Sequence, residues 1–232
     1  MLGRLLIAAT AMALVIPSVA QDKKPESPKV ADTALREELV KRMKVEQAVR
    51  EEVAKAVPST SPTVAEDSKK PEVQAIFQKM ARIDRDNLTW LKKVVADKGW
   101  PTKSMVGQDG ALGAFLIAQH ATTDLEFMNT VLSHLRKAYK SGDAEGQWVA
   151  LMTDRLLVLR EKKKQLYGTQ LDAKDGKIVP LPIEDEANVD KRRKELGMPP
   201  LAEYLKFVSE HADPSKEKSE KKPKSQTKSE GR

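Results

Sequence analysis

Cysteine is absent from all 232 residues, which excludes disulfides, thiol nucleophiles, thiolate metal sites and lipid attachment through an N-terminal cysteine. Aromatic residues make up only 4% of the chain, too few for the stacking platforms that hold single-stranded nucleic acid, so no nucleic-acid partner is expected. After the first twenty residues no apolar run approaches the roughly 20 residues of a membrane-spanning helix. Missing too are the Gly-x-Ser-x-Gly elbow of a serine hydrolase, a phosphate loop, a dinucleotide fingerprint and His-Glu-x-x-His.

What stands at the N-terminus is Arg4, an apolar run from Leu5 to Ile16, Pro17, and the small-residue motif Ser18-Val19-Ala20. This is the pattern of a secretory signal peptide cut before Gln21, so the mature protein is expected in the periplasm or outside the cell, with no transmembrane segment left. Residues 21–30 read as a Lys/Pro/Ser linker and 31–212 as one helical domain. The net charge is +7, part of it in a Lys-rich tail at 213–232 whose composition is that of a disordered segment. Such a tail suits contact with an anionic envelope surface, and a solvated tail explains it as well.

Periodicity predicts four long helices. The first runs from the N-cap Asp32 to about Val57, with Leu35, Leu39, Met43, Val49 and Val53 on its apolar face and Arg42, Glu46 and Arg50 in or beside it. The second begins at Pro71 and ends at Lys98-Gly99, where Gly suits a left-handed cap. The third is predicted over Ala111 to about Tyr139 after a Gly-containing loop, and its first part is apolar on every side. The fourth is predicted from Ala144 to Lys163. A β-hairpin follows, Gln165–Leu171 with Lys177–Leu181, turning at 172–176. Pro180 and Pro182 mark the second strand as an edge. Short helices over Asp185–Leu196 and Pro199–Ser209 close a mainly α fold, a helical bundle with a small β-hairpin.

Each long helix carries polar residues on its buried face: Arg42 and Glu46, Asp84 and Asn87, His120 and Asp124, Asp154 and Arg155. Buried polar groups must be answered by partners, and bundle interiors are where helical proteins assemble sites. At about 100° per residue, His120 and Asp124 fall one turn apart on one stripe, which nominates them as a catalytic pair. Three readings follow. Glu46, Asp84, His120, Asp124 and Asp154 have the chemistry to bind a divalent metal, Zn, Mn or Fe, that activates water. His120 alone can serve as a general base whose tautomer a carboxylate fixes, with Ser104, Thr169 or Tyr167 as candidate nucleophiles. Or the set is an ion-pair network with a structural role. Arg42 and Arg155 would repel a metal and would instead grip a phosphate or carboxylate; in the network they would neutralise carboxylates. Asn87, Gln119, Tyr167 and Gln170 are further candidate ligand contacts.

Ile83-Asp84-x-x-Asn87, Gly99-Trp-Pro-Thr102, Val106-Gly107, Gln119-His120, Asp154-Arg155, Gln165-x-Tyr-Gly-Thr-Gln170, Pro182-Ile-Glu-Asp185 and Arg192-Arg193 together resemble a bacterial family known only as a domain of unknown function. The resemblance covers Arg42 to Tyr204. It implies one domain and brings no activity, cofactor or partner. The functional expectation is therefore a small-molecule site in a helix bundle, with metal-assisted hydrolysis as its sharpest form and a non-catalytic envelope protein as the alternative.

Overall fold

The structure is a computed structural model that describes residues 30–58, 63–174 and 177–211. The signal-like segment, the linker up to residue 29 and the Lys-rich tail lie outside them.

Helix α1 spans Thr33–Ala56. It starts where it does because the Asp32 carboxylate accepts the Leu35 N–H at 2.9 Å, satisfying a first-turn donor. A one-turn helix, α2 (Val64–Asp67), interrupts the connector. Helix α3 (Pro71–Lys98) has Pro at its start and Gly99 at its end with φ +82°, a left-handed cap only glycine adopts cheaply. These boundaries match the sequence reading.

The next stretch corrects it. Residues on either side of a non-helical Gly107 are helical, and the predicted third helix is two helices, α4 (Lys103–His120) and α5 (Leu125–Lys140). Gly107, at φ +74°, kinks α4 near its start. Helix α4 stops at His120 because the chain turns through Ala121 to Thr123, with Thr122 N–H bonded to His120 O at 2.8 Å. The Asp124 carboxylate then caps α5 by accepting the Phe127 N–H at 2.9 Å. An N-cap residue has left the preceding helix, so Asp124 no longer continues the His120 stripe. Helix α6 (Gly146–Leu159) follows. Among the described residues, counting the kinked α4 as one, five helices have fourteen or more residues where four long helices were expected.

Helix α4 is the pillar. From Gly110 to Ala121 all but Leu112 are buried, as expected of a helix apolar all round. It packs against α1, α3, α5 and α6, while α1 also lies on α3 and α5 on α6. Phe115, Leu116 and Met128 meet Leu39, Leu91 and Met152 in the main core.

The hairpin is shorter than predicted. Strand β1 (Leu171–Lys174) pairs antiparallel with β2 (Lys177–Pro180), Leu171 opposite Pro180. Residues 165–170 form a loop, attached to Ile183 by one parallel bridge from Gln165. A 3₁₀ turn (Glu186–Asn188), α7 (Val189–Glu195) and α8 (Leu201–His211) complete the described residues. Leu171, Ile183, Val189, Leu201, Tyr204 and Val208 form a second, smaller core there. The fold class is mainly α, as read from the sequence. Among the described residues no helix is long and apolar enough to cross a membrane.

Candidate functional site

Helix α1 sends Arg42, Glu46 and Arg50 along one face at i, i+4 and i+8, where side chains align. Glu46 and Arg50 are buried, at 0% and 3% exposure. Across from them α4 ends in Gln119-His120, both buried, and α3 presents Asp84 and Asn87. His120 Nδ1 and Glu46 Oε1 share a hydrogen bond. Arg50 Nη1 lies 3.4 Å from Glu46 Oε1, and Arg50 Nη2 donates to both Asp84 oxygens at 2.8 and 3.0 Å. The second imidazole nitrogen, Nε2, faces Gln119 Nε2 at 3.4 Å. Beside this chain of contacts Arg42 donates to Asn87 Oδ1 at 3.0 Å and lies over the Trp90 ring at 4.4 Å.

Helix α6 contributes two neighbours that diverge, as residues about 100° apart on a helix must. Arg155 turns to the end of α4, where its Nη1 donates to Gln119 O at 2.6 Å and its Nε to Gln170 Oε1 at 3.2 Å. Asp154 turns to the loop at 165–170. Its carboxylate accepts the backbone N–H groups of Leu166, Tyr167 and Thr169 and the Thr169 hydroxyl. Gln165 closes the same loop, accepting from Gln170 N and donating to Gln170 O and Leu181 O. Arg193 donates to the Tyr167 carbonyl.

Electrostatics follow burial. Burial pushes the Glu46 carboxyl up to about 7, against the pull of Arg50. Burial, then the Arg50 and Arg155 charges, hold His120 well below its ordinary value. Asp84 is raised by burial, with Arg50 opposing. Asp154 is raised by burial against its hydrogen bonds. Burial and Arg50 lower Arg155 to about 10. Near neutral pH the Glu46–His120 pair is thus poised between two states that differ by one proton, with the imidazole neutral in both. Two arrangements suit it. Either His120 Nδ1–H donates to a Glu46 carboxylate and Nε2 is a free acceptor, or protonated Glu46 donates to Nδ1 and Nε2 carries the hydrogen. The amide of Gln119, presenting NH₂ or oxygen, matches either state.

Of the residues nominated from sequence, Glu46, Asp84, Gln119, His120, Arg155 and Gln170 form one connected network, with Arg42 and Asn87 alongside. Five nominees lie elsewhere. Asp124 binds Lys92 at 2.7 Å and caps α5, so the expected His120–Asp124 pair does not form; Glu46 takes the place beside His120. Asp154 is used up on loop backbone. Tyr167 holds the loop through its backbone, and its ring is half-buried. Ser104 bonds to Asp143 at 2.6 Å and Thr169 to Asp154, so neither faces the imidazole as a nucleophile.

The five-residue metal set is not assembled. Among the described residues no three His, Asp or Glu side chains are placed to hold a metal ion. The physical reason is Arg50: Glu46 and Asp84 converge on its guanidinium, a cation already standing where a metal would. Arg50 is the central residue that sequence reasoning placed beside the face but not in the site. Its i, i+4 spacing from Glu46 was the available signal. Gln165 and Arg193, buried at 0%, were given no site role; their partners are backbone groups of the loop and of Leu181 and Pro199, which spacing does not reveal. A surface groove of about 530 Å³ lined by Arg36, Val40, Lys44 and Asp109 lies on α1 and includes none of the network's residues.

Fold and site define the class: a mainly α bundle with a buried carboxylate–histidine pair where its central helix ends. The chain belongs to a family of unknown function, DUF6624, whose model matches residues 33–216. Comparisons with curated proteins and with solved structures give no match.

Proposed function

We propose that this protein carries a small-molecule site at which His120 exchanges a proton with a ligand or with a water that attacks it, its ring oriented by Glu46. The observation that carries the reading is the Glu46–His120 contact at Nδ1 with Nε2 turned to Gln119. A carboxylate on Nδ1 fixes the tautomer that leaves Nε2 as the proton acceptor a base needs, and the lowered basicity of His120 keeps that nitrogen unprotonated. Unspent acceptors support it: Glu46 Oε2 and Gln119 Oε1 are buried without a hydrogen-bond partner among the described residues, as are the donors Arg50 Nε and Asn87 Nδ2. Buried groups of this kind are normally satisfied, and a bound polar molecule would satisfy them. The reaction needs no metal, since the imidazole supplies the base.

A structural network is the second reading, and one observation favours it: the His120 side chain is only 4% exposed, and Arg50 bridges both nearby carboxylates. NMR of the imidazole resonances separates the two. Titration of the labelled full chain with small carboxylates, phosphates, esters and amides should shift the His120 signal, identified by its loss in His120→Gln. An imidazole that none of them perturbs, together with a loss of about 1–3 kcal/mol of stability in His120→Gln, would establish the network instead.

The N-terminal pattern supports export to the periplasm or beyond, checked by N-terminal sequencing, with Gln21 the expected first residue. The basic tail supports contact with an anionic envelope surface.

A further inference from the structure

Arg155 is a buried cation that no carboxylate answers. It is 3% exposed, yet among the described residues it forms no ion pair. Its partners are neutral, the Gln119 carbonyl and the Gln170 side-chain oxygen. Arg50, by contrast, has Glu46 and Asp84. Arg193 has two carbonyls and the Tyr204 ring, 4.9 Å away, and feels the charges of Asp190 and Asp154. The charges that act on Arg155 are Arg50, which opposes it, and Tyr204.

An unpaired buried charge is expensive, and this one is also held in a definite direction. Gln170, which fixes Nε, is itself fixed by Gln165 at its backbone N–H and carbonyl and by the Thr169 hydroxyl at its side chain. Thr169 is fixed in turn by Asp154. Gln119, which fixes Nη1, is the residue whose side chain faces His120. Two neutral acceptors on two different elements therefore orient the guanidinium without neutralising it, beside the imidazole. A planar fork held this way suits the oxygens of a carboxylate or phosphate.

We propose that Arg155 anchors an oxyanion, carboxylate or phosphate, on the ligand that meets His120; this rests on the proton-exchange reading of the Glu46–His120 pair. Arg155 selects and positions an acidic small molecule, and Gln170 sets the angle of the fork.

The test is calorimetric titration of the full chain with inorganic phosphate and, separately, acetate, at constant ionic strength. Saturable binding of either is expected, and which one binds assigns the oxyanion. Arg155→Gln should weaken it about tenfold or more, the scale of a charge-assisted hydrogen bond. Arg155→Lys should fall between, and Gln170→Ala should weaken binding although the charge remains. No saturable binding of either anion by the wild type overturns the anchor, and so does equal affinity in wild type and Arg155→Gln. Should Arg155→Gln fail to fold, unchanged affinity in both Arg155→Lys and Gln170→Ala overturns it. The two proposals fail separately. Anion binding that leaves the His120 resonance unmoved keeps the anchor as an anion site and removes the proton-exchange reading. A His120 resonance that responds to acidic small molecules as strongly in Arg155→Lys and Gln170→Ala as in wild type does the reverse.

Discussion

The Asp154 carboxylate holds Thr169 twice, accepting its backbone N–H at 3.0 Å and its hydroxyl at 2.9 Å. The same carboxylate takes the N–H groups of Leu166 and Tyr167, so one side chain on α6 replaces a strand partner for the whole loop. Asp154→Asn puts an amide donor against these donors. It should cost about 2–4 kcal/mol, as several buried groups lose an acceptor. Thr169→Val, which removes only the hydroxyl, should cost about 1 kcal/mol. Urea denaturation of both measures this, and equal losses would show that the loop does not depend on the backbone bonds.

Arg50 is clamped between Glu46 and Asp84, and removing it leaves a buried carboxylate unpaired. Arg50→Met should destabilise the fold by about 3–5 kcal/mol. The half-exposed Arg36–Asp109 pair, with side chains 41% and 43% exposed, is the control: Arg36→Met should cost about 1 kcal/mol or less. Thermal melts of the two variants give the comparison.

The proton shared by Glu46 and His120 has a signature in the dependence of stability on pH. Charged groups facing the pair are Arg50 on α1, Asp84 on α3 and Arg155 on α6. Glu46 is raised from 4.5 to about 7 on folding, so the folded state binds the extra proton. Its contribution is full below 4.5 and fades as pH rises towards 7. His120 is lowered from 6.5, so its contribution is full above 6.5 and fades as pH falls. Below 6.5 and above 4.5 the two slopes oppose, so the wild-type profile is flatter than either alone. His120→Gln should uncover a stability that falls with rising pH across 4.5 to 7. Glu46→Gln should uncover one that falls as pH drops below 6.5. Either slope approaches about 1.4 kcal/mol per pH unit for one proton. Denaturant midpoints at four pH values decide it; parallel profiles in all three proteins would mean that neither group's proton binding changes on folding.

Gly113 brings α4 against α1. A Cβ there would meet the Leu39 carbonyl oxygen at 2.9 Å and its carbon at 3.2 Å. Gly113→Ala must push the two helices apart, at about 1–3 kcal/mol. Because Glu46 and His120 face each other across this same helix pair, the His120 resonance should shift as well, which NMR of the variant would show.

Most of the frame was legible because its signals are local. Asp32 starts α1, Pro71 starts α3 and Gly99 ends it, each through a backbone bond or dihedral within one turn. The break after His120 was not legible, though its cap was present in Asp124 and Phe127 three residues on. The apolar spacing of Ile117, Met128, Val131 and Leu135 runs through the break and hides it. The loop at 165–170 read as a strand because alternation cannot reveal that its amides bind a carboxylate on α6.

Sequence by itself determined that the chain is mainly α, that its centre is a helix buried all round, and that polar residues enter the core from several helices. Propensity, capping and hydrophobic period act over a few residues, so they can be read in order. Only tertiary structure decided which polar groups meet. Glu46 and His120 are 74 residues apart, and their contact depends on how α1 crosses α4. Asp154 and Arg155 are adjacent, yet one turns to a loop and the other to the Gln119 carbonyl at the end of α4, because neighbours on a helix point in different directions.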